Sequence, residues 1–113
     1  MNQSISRAEL KAMLDSGAKL TLIEALPRKY YAAEHLPGAI SLPLDEVRAN
    51  ALRLIPDHGA PVVVYCASSG CRNSHVAADE LRKLGYSGVL EYTEGKAGWK
   101  EAGLPLETGE ARE

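Results

Sequence analysis

Pro61-Val62-Val63-Val64-Tyr65-Cys66-Ala67-Ser68-Ser69-Gly70-Cys71-Arg72-Asn73-Ser74-His75-Val76-Ala77-Ala78-Asp79-Glu80-Leu81-Arg82-Lys83-Leu84 joins three patterns in one run of chain. The first, Val62 to Tyr65, is apolar with no polar alternation. Such a run predicts a strand buried on both faces, as in a parallel sheet. The second is a loop of small residues. The third puts Val76, Ala77, Ala78, Leu81 and Leu84 on one face of a helix, with Gly85 as its stop signal.

Cys66 therefore stands at the carboxyl end of a strand, facing the open amino end of a helix. The first helical turn has N–H groups without internal partners, and the macrodipole adds partial positive charge there. Ala67, Ser68, Ser69 and Gly70 let the backbone curl so that several N–H groups converge. This predicts an anion cradle around a sulfur, with thiolate favoured over thiol; cysteines in such places have pKa values of roughly 3.5–7.5 instead of about 8.5. The other reading of a free cysteine is a small buried hydrophobe. Placement between a strand and a Gly/Ser loop favours chemistry.

The rest of the chain fits a single domain. A length of 113 residues supports one core. A net charge of -2 gives no electrostatic case for nucleic acid or an anionic membrane surface. No apolar run approaches a membrane span, and Met1-Asn2-Gln3-Ser4 does not open a signal peptide. The pattern suits a reducing cytosol, where a cysteine pair such as Cys66 and Cys71 is more often redox or catalytic than structural. Cys66, Cys71 and His75 are too close together, without a fourth partner, to be more than a weak zinc candidate, and neither a metal nor a cofactor is expected.

Ser6-Arg7-Ala8-Glu9 is a capping-box pattern before a short helix carrying Leu10, Met13 and Leu14 and ending at Gly17. Leu20 to Glu24 reads as a strand, and Pro27 opens a brief helix through Ala33. His35 to Gly38 is a turn and Ala39 to Leu42 a short strand. Asp45 is a fair N-cap for a helix carrying Val47, Ala51, Leu54 and Ile55. Val89 to Tyr92 is a further strand, and Gly95 to Ala102 a last helix around Trp99, with Gly103 after it. Residues 1–106 form the domain, and Glu107 to Glu113 is a polar tail. Tyr30, Tyr31 and Trp99 read as packing residues, Trp99 with a place beside the crevice. His35 reads as a structural hydrogen-bonding histidine, and His58 and His75 as solvent-facing.

Alternating strands and helices predict an α/β sandwich: a mostly parallel central sheet of about five strands with helices on both faces. In such sheets the crevice lies outside the carboxyl ends of the strands, so Glu24 and Cys66 both look toward it.

The chain resembles a single-domain rhodanese over nearly its whole length. His35-Leu36-Pro37-Gly38-Ala39 is similar to the family's first signature, Val62 to Cys66 to its active-site strand, and Leu84-Gly85-Tyr86 with Gly98 to Leu106 to its closing signature. The resemblance implies a rhodanese-like three-layer sandwich and a sulfurtransferase. Cys66 would take a sulfane sulfur from a small anionic donor such as thiosulfate, or from a persulfide, and pass it to cyanide, a thiol or a protein acceptor. Backbone donors of Ala67 to Cys71 and the Arg72 guanidinium would hold the donor's anionic end.

The family pattern places four residues between the cysteine and an Arg-Ser pair; here five separate Cys66 from Arg72, and helix alignment puts Asn73 at the arginine position. The Cys-x5-Arg spacing also resembles phosphatases and arsenate reductases of the same fold, though Tyr65 stands where they carry His. Cys71 makes a Cys-x4-Cys loop, as in a subset of bacterial rhodanese-like proteins, and is a candidate resolving thiol for Cys66. Glu24 and Leu26 replace the family's Asp-x-Arg, leaving Glu24 a supporting carboxylate that accepts hydrogen bonds from neighbouring loops. A third possibility within this fold is a sulfur carrier or binding module without catalysis.

Overall fold

The structure is a computed structural model that describes residues 4–17, 19–68 and 70–109. In chain order it contains α1 (Arg7–Asp15), β1 (Thr21–Glu24), α2 (Arg28–Ala33), β2 (Ile40–Ser41), a 3-10 turn (Leu44–Glu46), α3 (Val47–Leu54), β3 (Pro61–Tyr65), α4 (Asn73–Lys83), β4 (Gly88–Tyr92) and α5 (Gly95–Glu101). Among the described residues the sheet has four strands, not five, in the order β2-β1-β3-β4, and every pair is parallel. Ser4 adds a single parallel bridge to Glu91 at the β4 edge.

The apolar run of β3 is explained by layers on both sides of it. Val62 and Val64 join Val47, Ala51, Ala77, Ala78 and Leu81 in one core, under α3 and α4. Val63 and Tyr65 join Leu10, Tyr31, Leu36, Tyr92 and Trp99 in the other, under α1, α2 and α5. Alternate residues of a strand point to opposite faces, so a strand covered on both must be apolar throughout.

Local signals set most boundaries. Ser6 Oγ accepts the Glu9 N–H at 3.1 Å and Glu9 Oε1 accepts the Ser6 N–H at 3.0 Å, closing the capping box. Asp45 does not cap α3: Pro43 starts a 3-10 turn that absorbs Asp45, and Glu46 precedes the helix without a side-chain cap. Trp99 is buried rather than beside the crevice, donating its indole N–H to Pro105 O at 2.8 Å. Tyr30 is exposed, whereas Tyr31 packs in the core. The start of the expected tail is held: the amides of His35 and Glu107 exchange hydrogen bonds with each other's carbonyls, and Gly109 N–H reaches Ala32 O. Residues 110–113 of that tail lie outside the described residues. No described helix is long and apolar enough to cross a membrane.

Candidate active site

β1, β3 and β4 run side by side with Glu24, Tyr65 and Tyr92 in register at their carboxyl ends. Cys66 follows Tyr65, and the chain loops through Arg72 into α4. Cys66 and Cys71 are joined as a disulfide, their Cα atoms 6.3 Å apart. Cys66 is 1% exposed, so its sulfur is not the open thiolate expected from the sequence. Cys71 and the first turn of α4 cover it. Ala67, Gly70 and Arg72 are exposed, Ser68 and Cys71 half-buried; Ser69 lies outside the described residues.

The loop is held from three sides. Cys71 N–H donates to Ser68 O at 3.1 Å, closing a turn inside the loop. Lys96 and Ala97 at the start of α5 donate their amides to Cys66 O and Ala67 O at 2.9 and 2.8 Å. Asn73 Nδ2 donates to Ala25 O at 3.1 Å, tying the start of α4 to the end of β1. Gly95 permits the α5 contact. It has φ +68°, and a Cβ there would lie 2.7 Å from both Cys66 O and Ser68 N. The Arg72 side chain makes no hydrogen bond or ion pair with the described residues, so nothing fixes it as an oxyanion clamp.

Two residues absent from the expected site stand near the sulfur, Ser74 against it and Glu91 behind Ser74. Ser74, 2% exposed, places Oγ 3.4 Å from Cys66 Sγ and donates to Glu91 Oε2 at 2.8 Å. The other Glu91 oxygen is 3.5 Å from His75 Nδ1, and His75 Nε2 is 3.7 Å from Asp79. The sulfur is thus linked to the surface through a hydroxyl, a carboxylate and an imidazole. Glu91 had a signal in the sequence: it is the charged residue in the otherwise uncharged stretch Val89 to Tyr92.

Beneath the loop lies a buried ion pair. Glu24 is fully buried, with Oε1 accepting from Tyr65 Oη at 2.9 Å and 3.0 Å from Lys96 Nζ. Lys96 Nζ also donates to the carbonyls of Tyr30 and Glu34, at 3.0 and 2.6 Å. In place of donors from neighbouring loops, Glu24 has a strand hydroxyl and a helix lysine. Burial pushes the Glu24 carboxyl above its ordinary range, while Lys96 and then Tyr65 pull it back. Burial, reinforced by Glu24, raises the Tyr65 phenol strongly, so its hydroxyl stays a donor. His35 is buried, stacked 3.7 Å from Tyr31, with Nδ1 2.7 Å from Tyr31 O, a structural placement.

Shallow clefts flank the loop. One of about 230 Å³ is lined by Arg7, Ser68, Glu94, Ala97, Gly98 and Glu101. The other, about 260 Å³, is lined by Pro27, Pro43, Leu44, Asp45 and Asn73.

Residues 6–102 match the family model described as a rhodanese-like domain. The chain belongs to the rhodanese-like family. It is 35% identical over 79 residues to thiosulfate sulfurtransferase PspE of Escherichia coli K12, covering 70% of each chain. It is 33% identical over 106 residues to HTH-type transcriptional regulator Rv0324 of Mycobacterium tuberculosis, covering 94% of this chain and 45% of that protein. The chain therefore spans only about half the length of some of the curated relatives it matches. A crystal structure of thiosulfate sulfurtransferase from Pseudomonas aeruginosa superimposes with a TM-score of 0.83 at 29% identity, covering 98% of this chain and 21% of that one. The parallel sheet with helices on both faces is the rhodanese-like architecture.

Proposed function

We propose that this chain is a sulfurtransferase whose reduced form carries a sulfane sulfur as a persulfide on Cys66. The observation that carries the reading is the position of Cys66 Sγ, at the carboxyl end of β3 and 3.4 Å from the Ser74 hydroxyl in the first turn of α4. Similarity to a thiosulfate sulfurtransferase supports it. The thiolate attacks the outer sulfur of a donor. With thiosulfate, the Cys66–sulfur bond forms, the sulfur–sulfur bond of the donor breaks, and sulfite leaves with the electron pair. Ser68, Ser69 and the remaining backbone amides of the loop receive the donor's anionic end, the Cys71 N–H being held by Ser68 O. Asn73 and Glu24 support that loop from below, Asn73 through Ala25 and Glu24 through Lys96. A thiol, cyanide or protein nucleophile then removes the outer sulfur. Only a form with Cys66 reduced can begin the cycle, so a reducing compartment such as the cytosol suits it.

Incubating reduced, desalted Cys71→Ser protein with thiosulfate, or with glutathione persulfide, should add one sulfur atom by intact mass. The Cys66→Ala protein should add none. Failure of Cys71→Ser to take sulfur from either donor would overturn this function.

A further inference from the structure

The disulfide shows that Cys71 can reach the inner sulfur of any adduct on Cys66. The geometry points to a second activity of the same site: release of hydrosulfide from the Cys66 persulfide, with Cys71 as the internal acceptor of oxidation. The inference rests on the sulfurtransferase reading above, since it needs the persulfide to form.

The step balances without an added oxidant. Cys71 sulfur, as thiolate, attacks Cys66 Sγ; the Cys66–Cys71 bond forms and the bond from Cys66 to the outer sulfur breaks. The electron pair leaves with the outer sulfur, which takes the proton given up by Cys71 and departs as hydrosulfide. The sulfane sulfur is reduced, and the two cysteines are oxidised to the disulfide seen here. A small dithiol or a dithiol protein then reduces that disulfide by thiol exchange and resets the site.

Three observations favour the internal route over transfer to an outside thiol. The Cα separation of 6.3 Å lies within the range that a disulfide bridges without moving the backbone. Cys71 sulfur is bonded directly to Cys66 Sγ in the oxidised form, so the internal nucleophile needs no path in from solvent. The Cys71 N–H to Ser68 O turn holds the attacking residue over its target. A reactant held in place in this way outcompetes one that must arrive from solution.

The test uses the whole chain, reduced, freed of reductant and given one equivalent of thiosulfate, with glutathione persulfide in a parallel arm. Released sulfide and intact mass are followed together. Wild type should release close to one sulfide per chain and finish two hydrogens lighter than the reduced protein. Cys71→Ser, and Cys71→Ala beside it, should keep the added sulfur and release little. Wild type that keeps its added sulfur and releases none overturns the inference and leaves the sulfurtransferase reading standing. Sulfide release from Cys71→Ser equal to wild type overturns it as well. If Cys71→Ser takes up no sulfur from either donor, the sulfurtransferase reading fails and the inference falls with it.

Discussion

Replacing Lys96 with methionine removes one member of the buried pair beneath the Cys66 loop. Methionine keeps the apolar stem and removes the charge, the contact with Glu24 Oε1 and the hydrogen bonds to Tyr30 O and Glu34 O. Glu24 then keeps only the Tyr65 hydroxyl, and its Oε2 already lacks a partner. Breaking a buried pair from one side costs about 3–5 kcal/mol, because the remaining charge is uncompensated. A domain has about 5–15 kcal/mol in all, so the loss is a large share of it. For a chain of this length it should lower the thermal midpoint by about 10–25 °C. Urea unfolding of the reduced protein, followed by Trp99 fluorescence, measures it directly. Glu24→Gln combined with Lys96→Met should cost less than the sum of the single changes, because the neutral amide still accepts from Tyr65.

The same substitution has a pH signature. Burial raises the Glu24 carboxyl and Lys96 opposes the rise; without Lys96 it rises further. A carboxyl whose folded-state pKa exceeds its unfolded one binds its proton more tightly when folded. Its contribution is present in full below the unfolded value, about 4.3, and is lost as pH rises through the folded value. The deficit of Lys96→Met against wild type should therefore be smallest near pH 4 and widen toward pH 8. A loss under about 1 kcal/mol at neutral pH, or one constant across that window, would refute the reasoning.

Two further changes probe the loop itself. Gly95→Ala puts a Cβ against Cys66 O and Ser68 N at a left-handed position, so it should destabilise by at least about 1–2 kcal/mol in urea. It should also speed Cys66 alkylation in the reduced protein by loosening the α5 contact. Glu91→Gln removes a negative charge that lies one hydroxyl away from Cys66 Sγ, so the thiolate is repelled less. In a reduced Cys71→Ser background, iodoacetamide should label Cys66 about three- to tenfold faster at pH 6, and an unchanged pH–rate profile would exclude a role for Glu91.

The buried parallel strand and its cover of helices on both faces were legible because Val62 to Tyr65 states its environment outright: four apolar residues in a row require cover on both faces. The Ser6 box and the Gly103 stop were legible for a similar reason, since each acts within a few residues of itself. The Glu24–Lys96 pair was not, because its members lie far apart in the chain and meet only when β1 packs near α5. Glu24 was singled out, yet its partner could have been any cation on a neighbouring element. Asp45 failed as a cap because the fixed φ of Pro43 favours a tight turn first, and that choice is made two residues upstream. Ser74 and Glu91 converge from α4 and β4, a meeting set by the β3–β4 register and invisible to local pattern.

The extra loop length ties these departures together. With five residues between Cys66 and Arg72, the arginine stands exposed with no partner among the described residues, while Asn73 takes the inward place and spends its amide on Ala25. An oxyanion enzyme of this fold needs a cation fixed over its cysteine, and here no described residue fixes Arg72. The same spacing sets Cys71 over Cys66. A loop that gives up its guanidinium clamp and gains a second thiol is poorly suited to holding a phosphate or arsenate. It is well suited to a small adduct that a neighbouring sulfur can displace. The placement of Arg72 therefore gives the oxyanion alternative no support, and the proposed sulfur chemistry turns on the cysteine pair.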